Sequence, residues 1–199
     1  MKLNIANIKR YLNYPNKDLD QTTQDNINKA IKIIQDNVQP IFTITKISIK
    51  TEMDKVIINN KVTIKSKDLV KYFNTTTQAY LISATLGKEI DLQIKRNLVI
   101  DIGVAYSLNA VATEYIEQYI DEQLSKYTTN YKQRFSIGYG DSPLIKQTEL
   151  LPLIKDKSNI SVLENGILVP SKSVTAFVKI DNTEIYNKCN TCIIKNNCQ

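Results

Sequence analysis

Histidine is absent from all 199 residues. Without imidazole, Ser-His-Asp and Cys-His nucleophilic catalysis, His metal sites and imidazole proton shuttles are excluded. Chemistry in this chain must come from carboxylates, Tyr, Lys, Arg, Cys or a borrowed cofactor. Glycine and proline are scarce, five of each, which excludes collagen-like and elastomeric classes. No apolar run approaches the roughly 18 residues that a membrane span requires. The first residues, Met1 to Asn7, lack the apolar segment of a secretory signal, so the expectation is a cytoplasmic protein with no membrane role.

What is present is a globular composition, 42% apolar and 23% charged, in a chain the length of one domain. Such a chain can bury a core without disulfides. Its 26 basic side chains are all lysine except Arg10, Arg96 and Arg134, a bias that fits an AT-rich genome. The net charge of +6 is spread among interleaved acidic residues with no block of one sign. That pattern describes a solvated surface rather than a nucleic-acid-binding face.

Periodicity divides the chain into helices and strands. Helical spacing marks Ile5 to Leu12, and again Ile27, Ala30, Ile31, Ile34 and Val38 in a helix from Thr22 to Pro40. From Ile41 to Lys50 the period becomes two, but Phe42 and Ile44 are out of phase with Ile47 and Ile49, which predicts a bulge. Val56 to Ile58 and Val62 to Ile64 flank Asn59-Asn60, a hairpin signature, and Ser66 can cap a helix carrying Leu69, Tyr72 and Phe73. Residues 79–87 read as a buried strand. A long helix is predicted from Leu98 to Lys126, with one face reading Gly103, Ser107, Ala110, Glu114. Close packing on another helix or on the sheet, with Glu114 at the edge, explains such a face. Further on, Ser142-Pro143 follows a glycine-containing loop as the predicted cap of a helix through Leu151. Strands at 160–163, 167–169 and 174–180 complete an α+β protein with a mixed or antiparallel twisted sheet and flanking helices.

The segment Arg134-Phe-Ser-Ile-Gly-Tyr139-Gly-Asp-Ser-Pro143, then Gln147, then Val162-Leu-Glu164-Asn-Gly-Ile-Leu-Val-Pro170-Ser-Lys-Ser173-Val174, resembles the activation domain of cobalamin-dependent methionine synthase. The resemblance covers about 40 residues in order and spacing, and extends weakly upstream through Thr85-Leu86-Gly87 and the long helix. It implies a stand-alone domain that binds S-adenosylmethionine and supports reductive methylation of cob(II)alamin carried by a partner. The partner would be a corrinoid-binding protein or methionine synthase modules, and the reductant a flavodoxin or ferredoxin. In that chemistry the cobalt is the nucleophile and the thioether leaves without a proton, so the protein contributes proximity, orientation and electrostatics.

Residue by residue, the resemblance implies that Arg134 binds the methionine carboxylate and that Phe135, Ser136, Ile137 and Gly138 lie along the ligand. It also places Tyr139 beside ligand and corrin as the catalytic candidate, and sets Glu114 against the ammonium or sulfonium charge. Glu164 and Ser173 match motif positions with structural roles at strand ends, while an acidic residue that the family uses near its N-terminal edge has no assigned position here. Outside the resemblance, Cys189, Cys192 and Cys198 sit in a tail, residues 182–199, set apart from a domain of residues 1–181. Three such thiols can hold an iron–sulfur cluster or Zn with a ligand from elsewhere, or remain unligated. Two other functions stay open: a non-catalytic structural or regulatory module on a corrinoid protein, and an iron–sulfur redox protein using the tail.

Overall fold

The computed structural model describes residues 3–14, 18–129, 131–154 and 159–180. The element order is α1 (Ile5–Tyr11), α2 (Gln21–Asn37), β1 (Ile41–Glu52), β2 (Lys55–Ile58), β3 (Val62–Lys65), α3 (Lys67–Phe73), β4 (Gln78–Thr85), α4 (Lys88–Ile100) and α5 (Ile102–Leu124). Then follow β5 (Arg134–Phe135), α6 (Gln147–Leu150), β6 (Ser161–Val162), β7 (Leu168–Val169) and β8 (Ser173–Lys179). One six-stranded sheet runs in the order β3-β2-β1-β4-β8-β5, with every pairing antiparallel, and β6 and β7 form a separate hairpin. This is the α+β architecture expected. Among the described residues, no helix is long and apolar enough to cross a membrane.

Both faces of the sheet are covered. On one, α1, α2, α4 and α5 form a helical layer in which Ile8, Ile27, Ile34, Leu108, Val111 and Ile116 pack over Ile82, Ala84, Ala176 and Val178. On the other, Leu69, Tyr72 and Phe73 of α3 join Leu150 and Ile154 over Leu81, Phe135 and Phe177. Successive residues of a strand point to opposite faces, so a strand covered twice reads as an unbroken apolar run. That is why 79–86 carries no alternation.

The same two-sided covering corrects the bulge expected in β1. Register with β4 runs without interruption from Ile41↔Thr85 to Ser48↔Gln78. Phe42 and Ile44 pack in the helical layer, whereas Ile47 and Ile49 pack against the α3 side. The phase of the pattern changes because the covered face changes, with no extra residue. The Asn59-Asn60 hairpin is as expected, both residues having φ near +50° (51° and 54°).

A second correction concerns the long helix. Lys88–Ile100 is a helix of its own, and Asp101, with φ −155° and ψ 97°, separates it from α5. The Asp101 amide closes α4 on Asn97 O at 2.9 Å, and its carboxylate accepts from Val104 N at 3.2 Å as the cap of α5. Periodicity hid this break because Leu98, Val99, Ile100 and Ile102 form an apolar run across it. α4 itself buries fully only Ile90, too thin a stripe to register as a helix.

Candidate functional site

Among the described residues β5 is the edge strand, held on its inner side by β8 through Arg134↔Val178 and Phe135↔Phe177. Immediately after it the chain turns through Ser136 to Ser142 over the rim of the sheet. Gly138, with φ +97°, and Gly140, with φ +56°, supply backbone conformations that side-chain-bearing residues rarely adopt. The Ser142 hydroxyl accepts from Gly138 N at 3.0 Å and donates to Tyr139 O at 2.7 Å. So Ser142 does not cap a helix, contrary to expectation. Its oxygen is engaged within the loop, Pro143 has an extended ψ of 122°, and only a 3-10 turn (Leu144–Lys146) and the four-residue α6 follow.

Among the described residues two cavities flank this edge, and Glu117 of α5 lines both. The first is a cleft of about 330 Å³ lined by Ser136, Ile137 and Tyr139 of the loop, Leu144 and Gln147, the β6–β7 turn at Gly166, and Ser171 with Ser173, Val174 and Thr175 of β8. Its rim includes Tyr139, which is 58% exposed. The turn comes close because Gly166 lacks a side chain: a Cβ there would stand 2.5 Å from Leu144 O. From the far side, Asp91 of α4 fixes the wall by accepting from Ser171 N and Ser171 Oγ, each at 2.6 Å.

The second cavity, about 590 Å³, lies between the start of α1, α5 and β5. Its lining is almost entirely polar: Asn4, Arg10, Glu114, Glu117, Asp121 and Arg134 among others. Arg134, 8% exposed, donates to Glu117, to Asp121 and to Tyr131 O at 3.0 Å. Burial opposes the guanidinium charge, but the two carboxylates outweigh it and hold Arg134 above its ordinary pKa. Glu114 is 1% exposed. Its Oε1 accepts from Asn4 N at 3.2 Å and from Gln118 Nε2 at 2.5 Å, while Oε2 is buried without a hydrogen-bond partner among the described residues. An orphaned buried carboxylate oxygen costs desolvation energy unless a donor reaches it.

The structure therefore gathers the expected residues unevenly. Ser136, Ile137 and Tyr139 line the cleft; Arg134 and Glu114 line the polar cavity. Phe135 turns its ring into the core against Tyr72, at 5.3 Å between centroids, leaving its backbone at the edge. Gly103, Ser107 and Ala110 line neither cavity. A Cβ on Gly103 would stand 2.5 Å from Asn26 Nδ2, so this face serves the approach of α5 to α2, the packing expected of it. Ser173 lines the cleft and its Oγ donates to Thr85 Oγ1 at 2.8 Å, and Glu164 is exposed on the β6–β7 turn. Cys189, Cys192 and Cys198, with the proposed tail, lie outside the described residues; among the described residues no cluster of Cys, Asp or Glu is arranged to hold a metal ion.

Glu117, Asp121, Asp91 and Asp141 were not singled out from sequence. A signal existed for the first two: Glu114, Glu117 and Asp121 fall at i, i+3 and i+7, one carboxylate-bearing stripe along α5. For Asp91 and Asp141 the partners lie some 70 to 80 residues away, and nothing local announces them.

No protein-family model matches the chain, and no curated protein matches it. Among solved structures, a crystal structure of the MetH reactivation domain bound to AdoHcy is similar, with a TM-score of 0.61 at 12% sequence identity over 84% of this chain and 67% of that one. The likeness shows a shared fold: the six-stranded antiparallel sheet with its flanking helices matches that domain.

Proposed function

We propose that this chain binds S-adenosylmethionine along the edge of β5 and presents it to a corrinoid protein for reductive methylation in trans. The observation that carries the reading is Glu114, whose buried Oε2 has no hydrogen-bond partner among the described residues and which lines a polar cavity adjoining the cleft under the Ser136–Tyr139 loop. A buried carboxylate oxygen without a donor suits a ligand cation. The fold supports the same reading, since the structural neighbour holds AdoHcy.

Bound S-adenosylmethionine supplies a methyl group on a sulfonium leaving group, which the corrinoid of a partner accepts together with one electron from a donor such as a flavodoxin or ferredoxin. This chain's residues have simpler tasks. Glu114, Glu117 and Asp121 would receive the ammonium, and the Arg10 and Arg134 guanidiniums the carboxylate, of the amino-acid end. Ser136, Ile137 and Gly138 would offer loop backbone just beyond the edge strand to the nucleoside, and exposed Tyr139 would close the rim toward the partner. No proton has to move, so a site without His is adequate. Cobalamin stays with the partner, and an iron–sulfur or Zn centre on Cys189, Cys192 and Cys198 is a separate proposal that metal analysis of anaerobically purified protein decides.

One observation favours a second reading. Arg134 donates to two carboxylates and a carbonyl of its own chain, so its fork is already engaged. In that reading the protein is a non-catalytic module that caps a corrinoid protein. Calorimetric titration with S-adenosylmethionine separates the two: saturable binding weakened by Glu114→Gln supports the first, and no binding by folded protein supports the second.

A further inference from the structure

We propose that Asp141 is a positioning residue that clamps the cleft loop to the start of α3, and so couples occupancy of the cleft to the β2-β3-α3 lobe. The inference deepens the S-adenosylmethionine reading, because the loop it fixes lines that cleft. Asp141 Oδ1 accepts from Ser66 Oγ at 2.5 Å and from Asp68 N at 3.2 Å, and Oδ2 accepts from Lys67 N at 2.8 Å. The clamp is reciprocal: Asp141 N donates to Asp68 Oδ2 at 3.2 Å. Ser66, 2% exposed, stands between them, accepting from Leu69 N at 2.9 Å as the cap of α3 while its hydroxyl proton goes to Asp141.

Two further features tie this clamp to the cleft. A Cβ on Gly140 would lie 2.2 Å from Asp68 Oδ2, so the loop approaches α3 at a distance that glycine alone allows. On either side of the Gly140-Asp141 pair, Tyr139 and Ser142 are joined through Ser142 N to Tyr139 O at 3.1 Å, and Tyr139 N returns to Ser136 O at 3.2 Å. Asp141 therefore anchors a hydrogen-bonded turn whose Ser136, Ile137 and Tyr139 line the cleft. Ser66 N donates to Asp54 O at 2.9 Å, which carries the connection to the turn between β1 and β2. Charge-assisted bonds are about twice as strong as neutral ones, so three converging on one carboxylate make a stiff joint.

Hydrogen exchange on the full chain tests this. In ligand-free protein, Asp141→Asn is expected to raise exchange about tenfold in 66–69 and 138–142 together, one charge-assisted bond's worth, with α5 and β4 unchanged. Ser66→Ala is expected to loosen the same two segments. Adding S-adenosylmethionine to the wild type is expected to slow exchange in both, and in Asp141→Asn to slow it in the loop alone. Loosening of 66–69 without 138–142 would overturn the clamp, and so would ligand protection in the wild type that stops at the loop. If S-adenosylmethionine protects neither segment, the binding reading fails, while the ligand-free comparison still decides on the clamp.

Discussion

The cleft and the polar cavity share Glu117 yet are built on different terms. The cleft is a matter of backbone: an edge strand, two glycines with positive φ, and a turn brought close by Gly166, with its polar groups engaged in local hydrogen bonds. The cavity is a matter of charge: Glu114, Glu117 and Asp121 of α5 share it with Arg10, Lys132 and Arg134, and Glu114 Oε2 has no hydrogen-bond partner among the described residues. Shape with few charges suits a flat, mostly neutral group, and charges of both signs suit a zwitterion. In the proposed function the first takes the nucleoside and the second the amino-acid end of the ligand.

Substitutions can break that division. Arg134→Ala should act on both properties, because it removes the guanidinium that offsets Glu117 and Asp121. Those partners are partly exposed, which limits the loss to about 2 kcal/mol, a fall of roughly 4–8 °C in the melting temperature. Affinity should drop with it, and calorimetry beside thermal unfolding reads both. Glu114→Gln should separate the properties. It keeps an oxygen for Asn4 N and Gln118 and removes a buried charge, so stability is expected to hold or rise by up to about 1 kcal/mol while affinity falls about tenfold. A parallel loss of stability would mean that the carboxylate is structural. In the cleft, Tyr139→Ala should weaken binding severalfold and change stability by less than about 1 kcal/mol, as an exposed aromatic on a braced loop implies.

The smallest effect is a pH signature of the clamp. Burial pushes the Asp141 carboxyl up, but the bonds from Ser66, Lys67 and Asp68 outweigh it and hold the pKa below its ordinary value of 3.8. A depressed carboxyl stabilises the fold above 3.8 and loses that contribution as pH falls through the folded value. The difference in melting temperature between the wild type and Asp141→Asn should therefore be full near neutrality and shrink below 3.8. A gap that is constant with pH would exclude the carboxylate as its source.

Much of this was legible in the residues because it is local. Asn59-Asn60, Ser66 and the largely apolar run at 79–86 each carry their structure within a few positions, whereas the edge strand at Arg134–Phe135 carries no such local signal. What escaped was set by distant partners. The out-of-phase pairs in β1 mean two covered faces, which no window along one strand can reveal. Asp101 splits two helices by capping both, hidden in an apolar run. Ser142 looked like a helix cap because its sequence context is that of one, but Gly138 N claims its oxygen first. Arg134 was read for a ligand, and its partners on α5 emerged only once β5 lay beside that helix.

The central claim is that Glu114 holds an unsatisfied charge for the amino-acid end of S-adenosylmethionine. Titrating S-adenosylmethionine into wild-type and Glu114→Gln protein by calorimetry, with both melting temperatures recorded, tests it most directly. The account predicts saturable binding by the wild type and about tenfold weaker binding by a variant at least as stable. Equal affinity in the two proteins, or no binding by the folded wild type, would contradict it.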